Sequence, residues 1–182
     1  MRIVFQGKTK TGKDIIIRYL DSEDTPRLLQ YINEISREKT FITFQGEQLT
    51  LSEEEQYVSA ILKKVAEKRA VELVVIYENE IIGIAGISLG EKVESHHGVF
   101  GITIAKGYRG DGIGSILMKL TLDEAQMNLP ELRLVILKVY EGNSLAKNMY
   151  ERFGFKNYGN LPEGIHYKGN YIGVDLMYKK VK

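Results

Sequence analysis

The sequence contains no cysteine, which excludes disulfide bonds, thiolate metal sites and a cysteine nucleophile. Its three histidines, His96, His97 and His166, lack the spacing of a helical zinc-ligand pair. No apolar run approaches the roughly 18 residues needed to cross a bilayer, and the first residues hold too short an apolar stretch for a signal peptide. We therefore expect no metal site, no membrane partner and a cytoplasmic location.

An excess of charge of one sign is also missing. The formal net charge of +1 creates no global field that would favour a nucleic acid as partner. The 182 residues, 43% of them apolar and 27% charged, are typical of a soluble globular chain with one core. We therefore predict a single domain over residues 1–182, with a homodimer as the default assembly.

Hydrophobic periodicity and turn residues predict the element order β-α-α-β-β-β-α-β-α-β-β, which indicates an α/β fold with a mixed sheet and helices on both faces. A helix is predicted to begin at a capping box of Ser52 and Glu55. Two strands follow from Val71, and a later helix is predicted over residues 113–127.

The most informative segment is the glycine-rich stretch ITIAKGYRGDGIGS, residues 102–115. A strand ends there, a turn with Gly110, Gly112 and Gly114 follows, and a helix begins at once. Such a turn lets backbone N–H groups converge on an anion, and the helix N-terminus adds the positive end of its dipole. Arg109 can add a charge-assisted contact. The segment therefore predicts a phosphate-binding turn.

Two common phosphate-binding motifs do not fit this turn. The dinucleotide fingerprint G-x-G-x-x-G needs its third glycine one position later than Gly114, and a P-loop needs a lysine followed by a hydroxyl residue. Residues 7–14, GKTKTGKD, approach the P-loop pattern, but Asp14 lacks the hydroxyl and a β-branched strand follows instead of a helix. We interpret residues 7–14 as a lysine-rich hairpin turn.

Two motifs together carry a resemblance to a known family. Residues 109–114, RGDGIG, resemble the R/Q-x-x-G-x-G/A signature with which GNAT acetyltransferases bind the pyrophosphate of coenzyme A. Residues 139–155 resemble the second hallmark of that family, with Asn143, Ala146, Tyr150, Gly154 and Phe155 in register. The resemblance covers roughly residues 71–155 and implies the GNAT fold, with a mostly antiparallel sheet of about seven strands whose central strands splay apart.

The resemblance also implies roles for single residues. It makes Tyr150 the catalytic acid that protonates the leaving thiolate, although a tyrosine packed in the core is the alternative. The implied acetyl-CoA-binding residues are Ile102, Thr103, Ile104, Arg109, Gly110, Asp111, Gly112, Ile113, Gly114, Ser115 and Asn143. The strand residues among them would act through their backbone, and Asn143 is equally well explained as a helix N-cap.

The resemblance implies an acyltransferase that moves an acetyl group from acetyl-CoA to a primary amine of a small molecule, peptide or protein. The base that deprotonates this amine stays open: some members carry a glutamate at the position of Lys138, which leaves Glu94, His96, His97 or ordered water. The alternative function is a non-catalytic acyl-CoA-binding or regulatory module on the same fold.

Overall fold

The computed structural model describes residues 2–181, which contain eight strands and four helices. The strands are β1 (Ile3–Lys8), β2 (Asp14–Tyr19), β3 (Ala70–Tyr77), β4 (Glu80–Leu89), β5 (His97–Ile104), β6 (Leu134–Tyr140), β7 (Lys156–Tyr167) and β8 (Asn170–Lys180). The helices are α1 (Thr25–Arg37), α2 (Leu51–Ala66), α3 (Ile113–Asn128) and α4 (Ser144–Arg152). The predicted α/β class with a mixed strand arrangement is confirmed, with one strand more than the resemblance implied.

The chain forms two compact units. The first runs from the N-terminal segment through Ser88 and includes Gly101–Pro130. The second comprises Leu89–Phe100 and the chain from Glu131 onward. Strand β5 contributes residues to both units, because its first half belongs to the second unit and its last four residues to the first. A single domain over residues 1–182 stays a prediction.

The first unit is built on an antiparallel meander in which β1 pairs with β2, β2 with β3, and β3 with β4. Successive residues of β3 point to opposite faces of the sheet. Leu73 and Val74 are neighbours and both are buried, so β3 is covered on both faces. Val74 packs in a cluster with side chains of α1 and α2, and α3 also contacts β3. The apolar sequence of β3 therefore reflects its coverage on both faces.

Helix α2 begins two residues earlier than predicted. Its N-cap is Thr50, whose side chain accepts a hydrogen bond from the Glu53 amide while Glu53 bonds back to the Thr50 amide. The predicted capping box of Ser52 and Glu55 is therefore wrong. The same S/T-x-x-E spacing occurs at both places, and the extended backbone of Thr50 decides between them because an N-cap residue is not helical.

A buried ion pair fixes the start of α1, the helix that carries Tyr31 and leads into Glu38, two residues that contact the candidate site. Asp24 is fully buried and accepts hydrogen bonds from Arg18 at 2.5 and 2.7 Å and from Arg27 at 2.7 Å. Burial alone would raise the pKa of Asp24, but the hydrogen bonds from Arg18 and the Asp21 amide lower it. Asp24 therefore stays ionised and holds α1 against β2.

The second unit contains a parallel pairing. Strands β5 and β6 run parallel, with His97–Val99 opposite Leu134–Ile136. Strand β8 pairs antiparallel with the whole of β6 and with β7. The β5–β6 ladder ends at Ile136, although β6 continues to Tyr140. The carboxyl half of β6 thus keeps a pairing partner on its β8 side only.

No helix in residues 2–181 is both long and apolar enough to cross a membrane. Within the same residues, no group of three or more histidine, cysteine, aspartate or glutamate side chains is arranged to hold a metal ion.

Candidate active site

The predicted phosphate-binding turn, residues 109–115, lies in the first unit and is called the glycine turn below. It follows β5 and a short 3₁₀ segment, and it leads directly into α3. Gly110 and Gly112 have φ values of +82° and +83°, a left-handed conformation that side chains with a Cβ rarely adopt. Both glycines are therefore needed for the backbone of this turn.

The first amides of α3 have no helical partner. Ser115 and Ile116 donate to the Gly112 carbonyl at 3.1 and 3.2 Å, so the helical ladder begins there. The amides of Gly112, Ile113 and Gly114 precede it, and within residues 2–181 no acceptor is bonded to them. These three N–H groups, at the positive end of the helix dipole, form a backbone site for an anion. The Ser115 amide is used inside the helix, which leaves its hydroxyl for the predicted contact.

The side chain of Asp111 anchors the glycine turn to the hairpin between β1 and β2. Asp111 is 5% exposed and accepts hydrogen bonds from the amide and hydroxyl of Thr11 at 2.8 and 2.6 Å. Lys13 Nζ lies 3.3 Å from the same carboxylate. The bond from the Thr11 hydroxyl is the main reason that the pKa of Asp111 lies well below its ordinary value. A predicted contact of Asp111 with acetyl-CoA therefore has only its backbone available.

The interpretation of residues 7–14 as a hairpin turn is confirmed, because Lys8 and Asp14 close an antiparallel pair. No sequence pattern indicated that this hairpin contacts the glycine turn. The contact depends on two segments about a hundred residues apart in the chain, and no local pattern reports such a pairing.

Arg109, predicted to contact phosphate, has two partners within the protein. Its guanidinium donates to Glu38 at 2.5 Å and its Nε donates to the Ile104 carbonyl at 2.8 Å. Glu38 follows α1 and also accepts from the Lys106 amide at 3.1 Å. Arg109 thus ties the end of β5 and the 3₁₀ segment to the end of α1, and its predicted contact with phosphate stays a prediction.

The end of β5 is held by two neighbours in the first unit. The hydroxyls of Thr103 and Tyr31, a buried residue of α1, are 2.8 Å apart. A Cβ on Gly83 of β4 would lie 2.6 Å from the Ile104 side chain and 3.3 Å from the Thr103 carbonyl, so the close approach of β5 requires glycine there. Ile102, Thr103 and Ile104 are half-buried, and their backbone roles stay predictions.

In the second unit, Asn143 is the N-cap of α4. Its Oδ1 accepts a hydrogen bond from the Ala146 amide at 3.3 Å, which is the structural role that the sequence allowed. Its Nδ2 group donates to no acceptor within residues 2–181. The side chain can therefore cap the helix with its oxygen and bind a ligand carbonyl with its nitrogen.

Tyr150 lies near the end of α4 with its ring in an aromatic cluster. The ring centroids of Phe100 and Phe155 are 6.2 and 6.1 Å from that of Tyr150, whose residue is 8% exposed. Every fully buried side-chain oxygen or nitrogen in the described chain has a partner, whereas the Tyr150 hydroxyl has none. The hydroxyl must therefore reach solvent. Burial raises the pKa of Tyr150 to about 12, which keeps the phenol protonated at neutral pH.

A glycine turn that leads into a helix, followed in the chain by an asparagine cap and a buried tyrosine, fits one family. The family model described as Acetyltransferase (GNAT) family matches residues 29–155. The chain belongs to this family. The predicted resemblance is confirmed, and the match begins well before the two motifs that carried it.

Three relatives show how far the similarity to other GNAT proteins extends. An uncharacterized N-acetyltransferase from Methanocaldococcus jannaschii is 30% identical over 105 residues, which are 57% of this chain but only 65% of that protein. A GNAT-family acetyltransferase from Streptococcus pneumoniae shares 28% identity and a TM-score of 0.84, over 92% of this chain and 99% of its own. The ribosomal L7/L12 alpha-N-protein acetyltransferase RimL in complex with coenzyme A has a TM-score of 0.81, over 99% and 98% of the two chains. At 15% identity, RimL shares the fold.

The structure does not group the candidate bases with the second GNAT motif. His97 pairs with Leu134 at the start of β6, while Asn143 follows the opposite end of that strand, about 20 Å away at the usual rise per residue. His96 and Glu94 precede His97 and are exposed. Lys138, at the position of the glutamate of some GNAT members, is also exposed.

Proposed function

We propose that this GNAT protein is an N-acetyltransferase that transfers an acetyl group from acetyl-CoA to a primary amine of a small molecule, peptide or protein. One observation carries the proposal: the GNAT signature forms a turn with two left-handed glycines that presents three unpaired amides at the start of α3. A diphosphate is the part of acetyl-CoA that such a site binds.

The remaining contacts follow from the groups that the chain leaves available. The amides of Gly112, Ile113 and Gly114 bind the diphosphate, with Gly110 and Asp111 holding the backbone in place. The backbone of β5 from Ile102 to Ile104 pairs with the amides of the pantetheine arm. Asn143 Nδ2 donates to a pantetheine carbonyl while its Oδ1 caps α4.

The transfer needs a proton donor for the sulfur. The neutral amine attacks the thioester carbonyl, a C–N bond forms, and the C–S bond breaks as the tetrahedral intermediate collapses. The Ile104 amide stabilises the oxyanion, and Tyr150 gives its proton to the departing thiolate. Burial raises the pKa of Tyr150 to about 12, so the phenol still carries this proton at neutral pH. The proton that the nitrogen loses as the amide forms then returns to Tyr150.

The acceptor must lose its ammonium proton before it attacks, and that proton leaves by another route. Lys138 supplies no carboxylate, and the exposed Glu94 and His96 have no described contact with the second motif. We propose that ordered water carries this proton to solvent, which suits an acceptor amine that is already partly neutral near its own pKa.

A two-stage experiment tests the proposed function. Acetyl-CoA is titrated into the protein by calorimetry, and release of free thiol is then followed in the same sample across amino acids, polyamines, aminoglycosides and peptides. We expect saturable binding and amine-dependent thiol release. Binding without release from any amine would support the acyl-CoA-binding module instead, and no binding of acetyl-CoA would overturn both functions.

A further inference from the structure

Arg109 is the cation predicted for the glycine turn, and its charge is already compensated within the protein. Arg109 and Glu38 form an ion pair at 2.5 Å, and the same guanidinium also bonds the Ile104 carbonyl. A diphosphate would have to compete with a carboxylate for this group. Arg109 is therefore better suited to positioning the loop before the turn than to binding phosphate.

A second cation lies across the turn itself. The backbone amide of Lys10, in the β1–β2 hairpin, donates to the Asp111 carbonyl at 3.3 Å. Its side chain then runs over Gly112: a Cβ at that glycine would lie 3.1 Å from Lys10 Cε, 3.3 Å from Cγ and 3.4 Å from Cδ. The stem of Lys10, up to the carbon that bears the ammonium, thus lies against the glycine whose amide begins the anion site.

The charge of Lys10 is in excess. Lys10 is exposed, and no carboxylate within residues 2–181 forms an ion pair with it. The neighbouring lysines of the hairpin are compensated, since Lys8 pairs with Asp14 at 2.7 Å and Lys13 with Asp111 at 3.3 Å. Each of these pairs cancels locally, so Lys10 leaves one net positive charge at the turn.

The hairpin is also held firmly enough to position this charge. Asp111 accepts two hydrogen bonds from Thr11, the residue next to Lys10, at 2.8 and 2.6 Å. The backbone on which Lys10 stands is therefore fixed to the glycine turn by a nearly buried carboxylate. Only the flexible part of the lysine side chain has to be ordered when an anion binds.

We propose that Lys10, rather than Arg109, is the side-chain cation that binds the diphosphate of the coenzyme A thioester. This inference rests on the proposed function, because it assigns one more residue to the same acetyl-CoA site. The lysine-rich hairpin, residues 7–14, would then contribute to cofactor binding although it is not a P-loop.

Calorimetric titrations of acetyl-CoA and dephospho-CoA into Lys10→Gln test the proposal. We expect the Kd of both ligands to rise roughly tenfold, since a charge-assisted contact is lost while the exposed position leaves the thermal midpoint unchanged. Lys10→Arg should restore most of the affinity. A loss confined to acetyl-CoA would assign Lys10 to the 3′-phosphate and would overturn the proposal.

Two further lysine variants separate a contact from the general field. Lys8→Gln removes a paired charge from the same hairpin, and Lys106→Gln removes an exposed charge from the segment before the turn. We expect both to bind acetyl-CoA within about twofold of the wild type. Equal losses of affinity in Lys10→Gln and Lys106→Gln, or no loss in Lys10→Gln, would overturn the inference about Lys10. The proposed function would still stand in either case, provided that the wild-type protein binds acetyl-CoA.

Discussion

The glycine turn of the first unit and the α4 helix of the second are fixed by opposite kinds of interaction. The turn is held by charged side chains, with Asp111 bonded to the hairpin and Arg109 to Glu38. Tyr150 is instead held by the rings of Phe100 and Phe155. A site that binds an anion through its backbone needs side chains elsewhere to fix that backbone. A proton donor needs an apolar environment that keeps its proton.

The same contrast determines whether Asp111 in the glycine turn and Tyr150 in α4 are charged. Hydrogen bonds from the hairpin hold the pKa of Asp111 well below its ordinary value, so that carboxylate stays charged at neutral pH. Burial raises the pKa of Tyr150 to about 12, so that phenol stays neutral. Substitutions in the glycine turn should therefore change acetyl-CoA binding and folding. Substitutions at Tyr150 should change turnover.

The largest effect is expected for Tyr150→Phe. Removing the hydroxyl removes the proposed proton donor and leaves the aromatic cluster intact, so kcat should fall about 100-fold while the Kd of acetyl-CoA stays unchanged. Steady-state kinetics and calorimetry on the same preparation measure the two quantities.

The pH profile adds an independent check on Tyr150. With a pKa of about 12, the wild-type rate should show no alkaline decrease caused by this residue below that value. Tyr158→Phe, at an exposed tyrosine of β7, serves as the control and should leave kcat unchanged. Full activity of Tyr150→Phe would show that the thiolate leaves without its proton.

Asp111→Asn should have the next largest effect, now on binding. An amide in place of the carboxylate loses the ionic contact with Lys13 and cannot accept both Thr11 hydrogen bonds equally well. We expect a lower midpoint of thermal unfolding and roughly tenfold weaker acetyl-CoA binding. Asp14→Asn, at the exposed end of the same hairpin, is the matched control. Equal behaviour of the two variants would mean that the anchor has no role.

A smaller effect is expected for Gly112→Ala. The left-handed φ of +83° costs alanine about 1 to 2 kcal/mol, and its methyl group would press on the Lys10 side chain. Gly107→Ala is the control, because a Cβ there meets nothing within 4 Å and its φ is not in the positive range that needs glycine. Urea unfolding of both variants should show a loss for Gly112→Ala and a change within about 0.5 kcal/mol for Gly107→Ala.

Sequence patterns predicted what is local in this protein. The spacing of Gly110, Gly112 and Gly114 indicated the turn into α3, and the position of Asn143 indicated a helix cap; both are present. The patterns did not show that Asp111 bonds to Thr11 or that Arg109 bonds to Glu38. These contacts join distant segments, so neither the charge nor the spacing of one segment determines its partner.

The capping box of α2 shows a second limit. Thr50 and Ser52 both precede a glutamate by three residues, and only the backbone entering the helix distinguishes them. A four-residue capping motif predicts that a helix begins nearby, but it does not determine which residue is the N-cap. The predicted position of the glycine turn is less affected by such errors of one or two residues, because Gly110 and Gly112 adopt a conformation that few other residues adopt.

The smallest expected effect, that of Asn143, separates structure from binding in the second unit. Asn143→Ala loses the cap and should cost about 1 kcal/mol of stability. Asn143→Asp keeps an oxygen that accepts from the Ala146 amide, at a helix N-terminus that favours negative charge, but it has no amide donor. If Nδ2 binds pantetheine, Asn143→Asp should unfold like the wild type and bind acetyl-CoA several-fold more weakly. If Asn143→Asp binds like the wild type, Asn143 is a cap alone, and the second unit contributes Tyr150 without this amide contact.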